Sequence, residues 1–161
     1  MALTTIDVTK GITGVTPTAN GGTGAASYAP GKVLQVQSQT LNTEASSTSS
    51  SFADTGLTIN ITPSATSSKV LVMVGLGAIY STSSAEMQMK LLRGSTDLGR
   101  FIINSAPGVV ACGTAINQLD TPNSTSAQTY KVQFMRNTGS GTVFVCINDS
   151  TATITAMEIG A

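Results

Sequence analysis

The sequence predicts an all-β protein, an antiparallel β-sandwich of jelly-roll type preceded by an extended N-terminal arm. Three observations predict it. Apolar residues come in short bursts, several of them alternating with polar ones as on a half-buried strand. Clusters of Ser, Thr, Gly, Asn and Pro separate the bursts about every ten residues. No segment carries convincing helical periodicity.

The arm is residues 1–30, "MALTTIDVTKGITGVTPTANGGTGAASYAP". Glycine at this density loses much backbone entropy on ordering and supplies no side chain for a core. The segment reads as an extended attachment arm that orders only against something else. Its scattered apolar residues Leu3, Ile6, Val8, Ile12 and Val15 are the expected anchoring points.

The sandwich domain is residues 31–161. "KVLQVQS" alternates, and "LNTEASSTSSS" after it reads as a mobile polar loop. "LTINITP" places Leu57, Ile59 and Ile61 on one face, and Pro63, lacking an N–H, closes the strand. "KVLVMVGLGAIY" is the most apolar segment, read as a central strand buried on both sides. Gly75 and Gly77 within it mark a bulge or the close approach of another backbone. "AEMQMKLLRG" sets Met87, Met89 and Leu91 against Gln88, Lys90 and Leu92, which favours a strand ending in an Arg-Gly turn. The remaining strands are "GVVACGTAINQL", "QTYKVQFMRN", "GTVFVCIN" and "TATITAMEIG", separated by "DTPNSTS", "NTGSG" and "NDST". That makes eight to ten strands.

Composition narrows the function. Of the 161 residues 10% are charged, with eight basic side chains balancing eight acidic ones. There is no basic stripe for a phosphate backbone, so no nucleic-acid partner is expected. Forty per cent hydrophobic residues argue against a disordered polar tract. No run approaches the roughly 18 apolar residues of a membrane helix, and the N-terminus shows no basic-then-apolar signal pattern. Cys112 and Cys146 sit in apolar, strand-like segments and read as buried thiols. Histidine is absent, which removes Ser-His-Asp and Cys-His nucleophile layouts and any ordinary structural zinc site. No enzyme activity and no cofactor or metal is expected.

The local motifs agree. "DTG" at Asp54 matches the aspartic-protease tripeptide, but that chemistry needs two carboxylates sharing a proton and so a homodimer. Asp54 follows "SSTSSSFA" rather than an apolar strand, and Asp54 with Gly56 reads as a turn before "LTINI". "GGTGAASYAPGKV" departs from a phosphate loop at Ala26 and Val33. Lys90, Arg93 and Arg100 read as solvated strand ends rather than an anionic-ligand patch. Asp97, Asp120, Asp149 and Glu158 are too dispersed to nominate a glycosidase pair, whose retaining form needs carboxyls about 5 Å apart. With no Trp, three Tyr and four Phe, aromatic platforms for sugars are few.

Two parts of the chain resemble tailed-phage virion proteins. "VTPTANGGTGAAS" is similar to the Ala-Asn-Gly-Gly-Thr-Gly segments of phage tail fibres. "GKVLQVQS", "SFADTGLTINITPSATSSKVLVMV", "KLLRGSTDLG", "LDTPNSTSAQTYKVQF" and "STATITAMEIGA" resemble, in this order, a β-sandwich module of phages of aquatic bacteria. The resemblance implies a virion structural protein made in the bacterial host cytoplasm: a short tail fibre or fibre tip, or alternatively a capsid decoration protein. It implies a homotrimer whose other partners are tail or capsid subunits and the host surface. Ser46–Ser51 and Asn137–Gly141 are the loop tips expected to meet a host. No coiled-coil or repeat shaft accompanies the sandwich.

Overall fold

The computed structural model describes residues 32–104 and 112–160. The expected anchors Leu3, Ile6, Val8, Ile12 and Val15 lie outside these residues, as does the arm that carries them. Ten strands and no helix occur among the described residues. They are β1 (Val33–Leu41), β2 (Ala45–Ser47), β3 (Ala53–Ile61), β4 (Lys69–Ser81), β5 (Glu86–Arg93), β6 (Thr96–Asn104), β7 (Cys112–Asp120), β8 (Gln128–Thr138), β9 (Val143–Val145) and β10 (Ala152–Ile159).

The eight long strands nest as one long hairpin. β1 pairs with β10, β3 with β8, β4 with β7 and β5 with β6, all antiparallel. Rolling that hairpin up gives one sheet in the order β1-β10-β4-β7 and a second in the order β3-β8-β5-β6. This is the double Greek key of a jelly roll. Short β9 and β2 continue the first sheet beside the far end of β4.

Alternation decides what the two sheets bury. Val70, Val72, Val74 and Leu76 of β4 face Met87, Met89 and Leu91 of β5 and Tyr130, Val132 and Phe134 of β8, and all are buried. A Leu- or Phe-sized side chain gains about 1.5–3 kcal/mol from such burial. Cys146 is an unpaired buried thiol whose acidity is suppressed by that burial, as a structural cysteine requires.

Four expectations need correction. β3 starts at Ala53, so Asp54 and Gly56 lie inside a strand rather than in a turn before it. The register slips between Asp54 and Thr58, and Gly56 takes φ 92°, a bulge conformation open to glycine. The 41–51 segment is not a free loop: β2 pairs with β9, and the Arg136 amide donates to the Ser49 carbonyl. β6 is a strand that the sequence did not announce, because Gly99 and its polar start interrupt the apolar alternation. Finally, β4 is buried on one face only: Leu71, Met73 and Gly75 remain half-exposed.

Gly77 behaves as expected. A Cβ there would stand 2.5 Å from the Thr151 carbonyl oxygen, and the β4–β7 register shifts between Leu76 and Ile79.

Candidate functional site

Asp54 points outward from β3, an edge strand of the second sheet. Its carboxylate accepts from Gln133 Nε2 at 2.7 Å and lies 3.0 Å from Lys131 Nζ. The Gln133 hydrogen bond, with help from Lys131, keeps its carboxyl below the usual range despite partial desolvation. Paired-aspartate chemistry asks the opposite, a carboxyl held neutral. Neighbouring Lys90 lies over the Phe52 ring, 4.2 Å from its centroid, and Arg100 approaches the same ring while pairing with Asp97 at 2.8 Å. Lys90 and Arg100 are thus surface groups of this sheet. Arg93 is not: it turns inward.

Two carboxylates that look unrelated in sequence share one row of the first sheet. Glu158 and Asp120 both lie opposite Val70, one on each side of it, so their Cα atoms stand about 10 Å apart. Both point inward and both are buried. Asp120 accepts from Arg93 Nη1 and from the Tyr130 hydroxyl, each at 2.7 Å, tying β7 to β5 and β8 of the opposite sheet. Burial first, then the hydrogen bond to Asp120 and that carboxylate's charge, push the Tyr130 phenol well above its ordinary value, so it stays a donor. Glu158 accepts from the Ser64 amide at 2.7 Å, the Ser64 hydroxyl at 2.6 Å and Gln35 Nε2 at 2.6 Å. Burial opposes that charge most strongly, yet the donors together outweigh it and hold the carboxyl down at about 2. These are two polar staples at one end of the sandwich.

The opposite end gathers the loops. Arg136 Nη1 donates to the Gly141 carbonyl, the Arg136 amide to Ser49, and the Thr82 amide to the Thr142 carbonyl. Asn137 donates to Glu86. The two segments expected to meet a host, 46–51 and 137–141, therefore lie side by side. Their separation in sequence hid this.

The outer faces of the two sheets differ in chemistry. The second sheet presents Asp54, Lys131, Lys90, Arg100 and Gln133. The outward positions of β1, β10, β4 and β7 carry one charge, Lys69 at the end of β4. Across the strands the register lines up Val36, Met157, Leu71 and Leu119 as a single apolar row. Val33, Val36 and Leu119 are 56%, 53% and 48% exposed.

No protein-family model matches the chain. No curated protein sequence matches it significantly. Among solved structures, the insecticidal delta-endotoxin Cry8Ea1 of Bacillus thuringiensis is 21% identical over 74% of this chain and 18% of its own, with a TM-score of 0.35. The VP2 subviral particle of infectious bursal disease virus is 13% identical over 79% of this chain and 40% of its own, with a TM-score of 0.36. The chain thus spans well under half of either, and likenesses of this size bear on neither function nor assembly here.

Proposed function

We propose that this protein is a non-enzymatic structural subunit of a virus particle, a short tail fibre or fibre tip of a tailed phage. One observation carries the reading: one outer face of the sandwich is charged and solvated, while the other carries a single charge, Lys69, and an exposed apolar row. Asp54, Asp97, Asp120 and Glu158 are each engaged in an ion pair or hydrogen-bonded staple within the fold. The apolar face is what a subunit of an assembly presents to its neighbours. The resemblance of the 15–27 segment and the sandwich blocks to phage fibre modules supplies the kind of assembly.

The loop end, rich in Ser, Thr, Asn and Gly, suits a hydrogen-bonding contact with a host surface. The test is particle composition. Virions purified through a density gradient should contain the chain, and gold-labelled antibody against it should decorate the tail. Label on the head would reassign it to capsid decoration, and absence from the particle would end the virion reading.

A further inference from the structure

The outer face of the first sheet is stepped, and the steps match each other. Its high part is the row Val36, Met157, Leu71 and Leu119, flanked by Val33 and Ile159. Four residues along β4, about 13 Å away, the row Thr40, Thr153, Gly75 and Ala115 has small side chains only. There the surface falls into an open groove lined by Gly75, Gly77, Gly113, Ala115, Thr151 and Thr153. Further along β4 the rings of Tyr80 and Phe144 pair with each other, their centroids 5.6 Å apart.

We propose that this face is the contact between two copies of the chain, packed about a two-fold axis near Met73, so that the ridge of each copy lies in the groove of the other. The proposal rests on the assembly-subunit reading and adds the surface and the partner. Size supports it. Four strands about 4.8 Å apart and eight residues rising about 3.3 Å each make a face of about 500 Å². Two such faces together cover about 1,000 Å², the lower bound for a specific interface. Charge permits a second copy. Lys69 is the one charged group at an outward position, it stands at the edge of the face, and its long stem lets the ammonium stay in water when two copies meet. The two-fold places the Lys69 end of one copy over the Gly77 end of the other, keeping the two lysines apart. Sheets stacked this way sit about 10 Å apart with side chains interleaved, and only a self-matching patch closes by a two-fold. Leu71 and Met73, half-exposed in the single chain, become buried, as the apolar run of β4 predicts.

The experiment is the solution mass of the full chain by light scattering. The wild type is expected at twice the chain mass. The double variant Val36→Lys, Leu119→Lys removes apolar contact at exposed positions, and Ala115→Trp fills the groove with a side chain the monomer tolerates. Both are expected at the chain mass with an unchanged β-sheet circular dichroism spectrum. Gln133→Lys, on the charged face, is expected to remain a dimer. A monomeric wild type overturns the contact, as does either face variant keeping the dimer mass. A trimeric wild type, which the fibre resemblance implies, overturns the two-fold geometry. None of these outcomes touches the virion reading, which particle labelling decides separately.

Discussion

Glu158 is a charge the fold has taken out of water and then surrounded with donors. A glutamine in its place would turn an amide NH₂ toward either Ser64 or Gln35. Gln35 has no free alternative, because its Nε2 also donates to the Thr62 carbonyl at 2.6 Å. Glu158→Gln should therefore cost about 2 kcal/mol, read from the urea midpoint. The same carboxylate gives the protein an acid limit. Its pKa is depressed in the fold, from 4.5 to about 2, so its contribution is complete above about pH 4.5 and is lost as pH falls toward 2. Urea midpoints followed downward from neutral pH should drop across that window more steeply in the wild type than in Glu158→Gln. Equal slopes would remove Glu158 from the account of acid stability.

Asp120 belongs to the same scale. Asp120→Ala leaves the buried Tyr130 hydroxyl without its acceptor and the partly exposed Arg93 guanidinium without its carboxylate, and should cost about 2 kcal/mol. Tyr130→Phe removes one donor, leaves the Arg93 pair, and should cost about 1 kcal/mol. Thermal unfolding of the two variants checks the order, and a Tyr130→Phe loss equal to that of Asp120→Ala would show that the ion pair contributes little. Neither staple was legible in the sequence. Asp120 and Glu158 are 38 positions apart, and nothing in composition or spacing marks them as neighbours of Val70.

Among the elements, the strands with clean alternation were legible and those without it were not. Met87, Met89 and Leu91 announced β5, and Leu57, Ile59 and Ile61 announced β3, because a half-buried strand must alternate. β6 is a strand because β5 pairs along its length, a fact of hairpin closure rather than of its own pattern. Asp54 was misplaced for a related reason: a glycine with positive φ suits a turn or a bulge equally, and only the β8 partner selects the bulge. Gly77 was read correctly since close backbone approach leaves few alternatives to glycine. Gly77→Ala should destabilise the protein by about 2 kcal/mol through overpacking against Thr151, lowering the melting temperature. An unchanged melting temperature would mean that β10 and its preceding loop can retreat without loss.

At the scale of the whole molecule, the nested hairpin sets the folding problem. β1 meets β10 and β3 meets β8 across most of the sandwich domain, so loop closure must precede most of the stabilising contact. Refolding from urea should be slow for a domain of this size, on the order of milliseconds to seconds. A microsecond phase accounting for the full amplitude would contradict that topology. The same topology gathers the 46–51 and 137–141 loops at one end and both carboxylate staples at the other.

By itself the sequence determined that this chain is β throughout its sandwich, where most strands run, and that its chemistry is poor in general bases. Those properties are local: alternation, turn residues and the lack of histidine act over a few positions or none. Only the tertiary structure decided which apolar residues stay outside. The run of β4 reads as buried on both sides because burial and stickiness look alike in one dimension. Rolling the hairpin placed Leu71 and Met73 on the outer row with Met157, Val36 and Leu119, a grouping that exists only once four distant strands share a register.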